Sequence, residues 1–239
     1  MKITKRDLRM VSWVNQFGYA TAEQIARKFK IAKQIVYRRL RNLEKNGYVI
    51  YERILFGQPG VYRPTSEILA LAGAELPAVR RISLANYVHT LRLIDVCIDM
   101  ELKYPNAKIV TEREIRARAG NAGPGQEGHF PDAVISHFVK KFAIEFEKSP
   151  KGRNRRQKIQ NQFLRGNLPG VGAVDGVWYI VPAEQRALAQ QLVAELDEDF
   201  FQVYLWPGLE QITIQPQPKI LETVEVEPAF NSFNFNFRR

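Results

Sequence analysis

The sequence predicts an α/β (α+β) protein in two parts, a small helical domain closed by a β-hairpin and a larger mixed-sheet domain. Three observations predict it. All of the basic excess lies at one end of the chain. Helix signals recur there at short intervals and run into a hairpin. Further on, β-type segments alternate with helical ones. The 239 residues suit one or two domains. Lys and Arg number 35 against 25 Asp and Glu, a net charge of +10. Residues 1–64 hold 14 basic and 4 acidic residues, whereas residues 65–239 hold 21 of each. That asymmetry points to a polyanionic partner, most simply nucleic acid. The single cysteine, Cys97, excludes an internal disulfide framework and a cysteine-rich zinc site. No apolar run approaches the roughly 18 residues of a membrane span. The charged start, MKITKRDLRMVSWVNQF, lacks the apolar core of a signal peptide, so a cytoplasmic protein is expected.

The first domain is predicted over residues 1–65. Leu8, Val11 and Trp13/Val14 fall at helical spacing over residues 4–17, with Thr4 as N-cap and Gly18 as the stop. Thr21-Ala22-Glu23-Gln24 matches a capping box, so a short helix follows to Phe29 with Ile25 and Ala26 inward. A third helix spans 32–46. Val36, Leu40 and Leu43 face the core there, and Gly47 ends it. Tyr48–Tyr51 and Val61–Arg63 flank a Gly57-Gln58-Pro59-Gly60 turn and read as a hairpin. Three short helices and a hairpin, strongly basic throughout, form the pattern of a winged helix-turn-helix. The third helix then enters the major groove. Lys33, Gln34, Tyr37, Arg38 and Arg41 stay available on it, with Gln34 suited to adenine and Arg38 or Arg41 to guanine or phosphate. Arg53 and Arg63 on the hairpin would touch phosphates. A protein-interaction or dimerisation module is the alternative reading of the same elements.

Residues 66–82 read as a linker helix, and 83–206 as the second domain. Ser83 caps a helix from Leu84 to about Tyr104, with Leu84, Val88, Leu91, Ile98 and Leu102 on one face. Asp95 falls on that stripe, either at its edge or pointing into a site, and His89 lies one residue from it, where a structural hydrogen-bonder is the commoner reading and a ligand the other. Ala107–Thr111 reads as a strand, followed by Glu112-Arg113-Glu114. The Gly-rich run AGNAGPGQEG (119–128) fits neither GxGxxG nor GxxxxGK[ST] and is read as a plain loop.

The informative stretch is HFPDAVI (129–135) followed by FAIEFEK (142–148), two β-type segments separated by His137–Lys141. Asp132 opens the first. Glu145 and Glu147, two apart on the second, project on one face, while Ile144 and Phe146 project to the other, towards a core. Three carboxylates on adjacent strands repel one another without a counterion, and hard oxygen donors of this kind suit Mg²⁺ or Mn²⁺. Such an ion could orient a phosphodiester and activate water. An exposed hairpin face with ordinary charges is the plainer reading. From Lys148 to Arg165 there are seven basic residues (Lys148, Lys151, Arg153, Arg155, Arg156, Lys158, Arg165) and no acid. This run is either a solvated helix face or a cationic helix beside the carboxylates.

Pro131-Asp132 with Glu145-x-Glu147 a dozen residues on resembles the PD-(D/E)XK nuclease signature. The run HFPDAVI…FAIEFEKSPKGRNRRQKI…DGVWYIV, with the His89–Asp95 helix and Thr111–Glu114, more specifically resembles the replication-relaxation family that includes MobC-type plasmid mobilisation relaxases. The likeness covers roughly residues 4–182. It implies a winged helix followed by a restriction-endonuclease-like mixed sheet, and metal-dependent nicking of DNA at a transfer or replication origin. Carried over, Asp132 and Glu145 would be metal ligands for Mg²⁺ or Mn²⁺. Glu147 would be a third ligand or general base, Lys151 would stabilise phosphate charge, and Glu112 or Asp95 would add an upstream acid. Arg153, Arg155 and Arg156 would lie on the DNA backbone. The implied partners are double-stranded DNA at an origin and other mobilisation or replication proteins, with a homodimer left open and no membrane. Position 147 departs from the pattern, carrying Glu where the signature has Lys. That departure keeps a second reading open, a non-enzymatic winged-helix regulator or replication accessory protein with a degenerate nuclease fold. A relaxase of the two-histidine type is disfavoured, since His89, His129 and His137 form no His-x-His cluster.

Val174–Val181 reads as a buried strand, Ala183–Phe201 as a helix with Leu188, Leu192 and Leu196 aligned, and Phe201–Trp206 as a further strand. Residues 207–239 read as an extended C-terminal tail ending in alternating Phe and Asn.

Overall fold

The computed structural model describes residues 1–120, 129–166 and 168–213. It is a mixed α/β structure in which a three-helix unit with a small sheet packs against a six-stranded sheet. The Gly-rich run from 121 and the tail from 214 lie outside the described residues.

Helix α1 (Lys5–Phe17) starts on a capping box in which the Thr4 and Asp7 side chains satisfy each other's backbone N–H groups. Helix α2 (Ala22–Phe29) starts on a second, built from Thr21 and Gln24. Helix α3 (Lys33–Lys45) buries Val36, Leu40 and Leu43 as its spacing requires, and Gly47 takes the left-handed backbone just beyond it. Strand β1 (Ala20–Thr21) and the hairpin β2 (Val49–Glu52) and β3 (Val61–Pro64) form an antiparallel sheet in the order β1-β3-β2.

The segment expected to be a linker helix is helical only over α4 (Ser66–Leu71). Beyond Gly73, whose φ is +64°, the chain is irregular, and hydrogen bonds pin it in place. The Asn15 amide donates to the Leu76 carbonyl at 2.8 Å, Arg63 to that of Val79 at 2.9 Å and Arg113 to that of Pro77 at 2.9 Å.

Helix α5 (Leu84–Lys103) follows, then strand β4 (Lys108–Thr111) and helix α6 (Glu112–Arg118). Strands β5 (Ala133–His137) and β6 (Lys140–Phe146) form a hairpin that runs further than expected, with Lys140 and Lys141 inside β6 and Phe138-Val139 at the turn. Helix α7 (Arg153–Leu164) crosses to β7 (Gly176–Pro182), which lies parallel to β6. A 3₁₀ turn (Ala183–Gln185) and helix α8 (Arg186–Glu195) cross to β8 (Phe201–Trp206), parallel to β7. The stretch expected to be extended tail begins with β9 (Glu210–Ile212), an antiparallel edge strand on β8. The sheet order is β4-β5-β6-β7-β8-β9. Strand β7 is buried along its whole length, as a strand covered on both faces must be.

Helix α5 covers one sheet face, and α7 and α8 cover the other. Of the predicted α5 stripe, Leu91 and Ile98 are buried as expected and the other three residues are not. Leu84, Val88 and Leu102 are 65%, 37% and 56% exposed, whereas Tyr87, Leu91, Ile94, Val96, Cys97, Ile98 and Met100 are buried. The reason is that α5 has two partners. One side meets Ile135, Ile144 and Phe146 of the sheet. The other meets Tyr19, Ala20 and Ile25 of the N-terminal unit, all in one continuous core. Polar contacts reinforce the second side. The Gln24 amide donates to the Leu91 carbonyl at 2.8 Å, Arg27 pairs with Asp95 and Asp99 at 2.6 Å each, and Lys28 pairs with Glu101 at 2.5 Å.

Asp7 is 0% exposed and bonds Arg39 on α3, so it joins α1 to α3 as well as capping α1. Burial opposes its ionisation, but hydrogen bonds from Arg39 and Thr4 outweigh burial and hold its carboxyl below the ordinary carboxylate range. Its contribution is therefore present above the ordinary value and lost as pH falls through the lowered one. Asp7→Asn is expected to cost about 2 kcal/mol at pH 7. The difference from wild type should shrink towards zero in urea titrations repeated down to pH 3.

Candidate active site

Asp132, Glu145, Glu147 and Lys151 meet at one end of the β5–β6 hairpin, in a cavity of about 470 Å³. Its walls come from the end of α1 (Gln16, Phe17), the first half of α5 (His89, Thr90) and the start of α6 (Glu112, Arg116). The site thus lies where the N-terminal unit meets the large sheet.

Asp132 sits just ahead of β5. Its carbonyl accepts the Glu112 N–H at 3.0 Å, which ties the start of α6 to it. Its Oδ2 accepts the Phe146 N–H at 2.8 Å, and its Oδ1 lies 3.1 Å from His89 Nε2. Glu145 belongs to β6. Because side chains alternate along the strand, it points away from the α5 core that holds Ile144 and Phe146. Glu145 is 1% exposed, with Oε1 2.7 Å from His129 Nε2 and Oε2 3.8 Å from Lys151 Nζ. Glu147 follows the strand, is buried, donates its N–H to the Ile180 carbonyl, and lies 2.6 Å from Lys151 Nζ through Oε2.

Burial and neighbouring groups shift Glu145, His89 and His129. Burial pushes Glu145 up to about 7, against the pull of His129, and Asp132 adds to the rise. Burial disfavours the imidazolium of both histidines, but the facing carboxylate overrides it. Asp132 raises His89 and Glu145 raises His129. The buried phenol of Tyr179, paired in register with Glu145, is also pushed up, by burial and then by Glu145 and Glu147.

The remaining predicted residues divide. Glu112 and Arg155 line the cavity, with Glu112 paired to Arg116 at 2.7 Å. Asp95 is elsewhere, on the α5 side that faces α2, bound to Arg27. Arg153 is exposed at the start of α7, while Arg156 is buried and pairs with Glu195 at 2.8 Å. On α3, Gln34, Arg38 and Arg41 are exposed, Tyr37 is half-buried and Lys33 pairs with Glu23. Arg53 is exposed on the hairpin loop. Arg63 is held by Glu52 and the Val79 carbonyl, which makes it a brace for the irregular segment. Two residues of the cluster had no functional reading in the sequence. His129, three residues before Asp132, had none at all, and His89 read as structural. The HxxD spacing was visible, but its pairing with Glu145 depends on the hairpin.

Among the described residues, no three His, Cys, Asp or Glu side chains gather into a ready-made metal centre. The donor chemistry instead fits an ion that takes one or two carboxylates and completes its shell with water and substrate phosphate, as Mg²⁺ does. Asp132 and Glu145 supply two hard oxygen donors on one cavity wall.

No family model matches the chain, and no curated protein matches it significantly. Among solved structures, the archaeal chromatin protein TrmBL2, described as showing a novel mode of DNA binding, aligns at 12% identity over 85% of this chain and 73% of its own, with a TM-score of 0.23. An overlap that low establishes neither fold nor function.

The raised Glu145 and histidine values have one sign. The native state holds more protons than the unfolded chain from the ordinary Glu value up to about 7 and beyond the ordinary His value, so stability falls as pH rises through that window. Glu145→Gln removes the buried charge. It should raise the melting temperature at pH 8 by several degrees, about 2 kcal/mol. The gain should disappear when melting is repeated near pH 4.5.

Proposed function

We propose that the chain is a DNA-binding protein of a plasmid or mobile element that nicks one DNA strand at a transfer or replication origin, by metal-dependent phosphodiester cleavage. In this reading the N-terminal unit is a winged helix that chooses the site. The sheet domain is a nuclease unit of the PD-(D/E)XK type, within the replication-relaxation pattern that the sequence resembles. The observation that carries it is the gathering of Asp132, Glu145, Glu147 and Lys151 in one cavity. The element order supports it too, with a helix, three antiparallel strands interrupted by α6 after the first, a basic helix and a parallel strand leading through the site.

Asp132 and Glu145 would hold Mg²⁺ or Mn²⁺, whose chemistry is Lewis-acid polarisation of a phosphate oxygen and activation of water. The chain's own residues do the rest. Lys151 neutralises charge on the phosphate. Although position 147 is Glu, Lys151 brings its ammonium from outside the strand to 3.8 Å from Glu145 and 2.6 Å from Glu147. Glu147 accepts the proton lost as a water oxygen bonds to phosphorus and the P–O bond to the leaving oxygen breaks. Arg155 and Lys148, exposed beside the cavity, hold the backbone.

Supercoiled plasmid carrying the native locus should give open circles with Mg²⁺ or Mn²⁺ and none with EDTA. Asp132→Ala should lose more than the roughly 10–100-fold typical of removing an outer-shell partner. Metal-independent binding of that DNA by both proteins, with no nicking by either, would leave the regulator reading instead. Binding itself is expected to rest on α3. Arg38→Ala with Arg41→Ala should weaken the gel shift and lower the salt slope by about one for each phosphate no longer neutralised. Arg63→Ala should lower the melting temperature and leave that slope unchanged.

A further inference from the structure

The most buried carboxylate of the site has a single hydrogen-bond partner among the described residues, the His129 imidazole. Asp132 differs, since a main-chain N–H and an imidazole hold its two oxygens separately. Lys151 lies at 3.8 Å from the other oxygen of Glu145, beyond hydrogen-bond reach, so whatever fixes His129 bears directly on Glu145. His129 precedes β5 and makes no ladder contact with β6. It is held instead from α7. Gln162 accepts the His129 N–H through Oε1 at 3.0 Å and donates from Nε2 to the His129 carbonyl at 2.6 Å. The ring stands edge-on to Phe163, the next residue of α7, with centroids 5.8 Å apart. Phe163 is itself buried in the core on that side of the sheet. One half-buried amide thus satisfies both main-chain groups of His129 and leaves its ring one direction to face. A glutamate has three side-chain torsions and gains little orientation from apolar neighbours, so this contact decides where its oxygens point.

We propose that Gln162, acting through His129, is a positioning residue for Glu145. The helix that bears Arg153, Arg155 and Lys158 on its exposed side thereby sets, from its other side, the geometry of the site's innermost carboxylate. This rests on the nuclease reading for its consequence and on the hydrogen bonds alone for its geometry.

The test uses the full chain, with Gln162→Ala and Gln162→Glu compared at a temperature where circular dichroism shows all variants folded. Gln162→Glu keeps the acceptor for the His129 N–H and removes the donor. Two readouts are taken. One is Mn²⁺ affinity, from the free-ion signal in electron paramagnetic resonance, with a short DNA duplex present. The other is nicking, resolved into the single-turnover rate at saturation and the DNA dissociation constant. Gln162→Ala should weaken Mn²⁺ binding and slow the saturated rate roughly tenfold or more, with DNA affinity unchanged. Gln162→Glu should fall between it and wild type. Unchanged Mn²⁺ affinity and saturated rate in Gln162→Ala would overturn the proposal and make the clamp purely architectural. Wild type that binds Mn²⁺ through Glu145 without nicking, with that binding weakened by Gln162→Ala, would uphold the proposal and sink the nuclease reading. Wild type that neither nicks nor binds Mn²⁺ would overturn both.

Discussion

Burial of α5 on two opposite sides is the constraint on which the rest of the structure depends. A helix with one apolar stripe could lie on the sheet and leave the N-terminal unit on a tether. This one carries apolar residues around most of its circumference, so solvent on either side would be costly. Tyr87, Ile94, Ile98 and Met100 are almost wholly buried, and each such side chain is worth about 1.5–3 kcal/mol relative to exposure. The N-terminal unit supplies one cover and the six-stranded sheet the other. The hydrogen bond from Gln24 and the ion pairs of Arg27 and Lys28 then fix the angle between them. The basic unit and the carboxylate-bearing cavity are for that reason parts of one body, and α1 and α5 can both wall the cavity.

The cavity works against that stability. Strand alternation puts Ile144 and Phe146 into the α5 core and leaves Glu145 on the opposite side, beneath α7, where burial penalises its charge. Each acid receives a positive or potentially positive partner, His89 for Asp132, His129 for Glu145 and Lys151 for both glutamates. A fold selected for stability alone would place apolar side chains at these positions. Carboxylates held in a walled cavity at that cost are in keeping with the nuclease reading proposed for them.

Local signals carried the element boundaries. Both capping boxes, the Val36/Leu40/Leu43 face and the strands around Asp132 and Glu145 were legible, because a cap or an alternation depends on neighbours three or two residues away. What was not legible depended on distant partners. On α5, Leu91 and Ile98 were placed inward correctly, but Leu84, Val88 and Leu102 were not, because a one-sided helix was assumed. Arg63 and Arg156 read as DNA contacts because their acceptors, Glu52 with the Val79 carbonyl and Glu195, are set by folding rather than by spacing. Asp95 read as a site acid until α2 covered it. His129 acquired its place only once Gln162 arrived from α7.

In the proposed reading, the carboxylate cavity faces the backbone of DNA bound by the N-terminal unit. Ser149 lines that cavity and is exposed, and the chain's one natural cysteine, Cys97, is buried. An iron chelate attached to Ser149→Cys and triggered on bound DNA measures the proximity directly. Strand scission confined to one locus, at a fixed offset from the footprint and reduced when Arg38 and Arg41 are replaced by Ala, is the predicted result. Retarded DNA that is left uncut, or is cut evenly along its length, would rule that placement out.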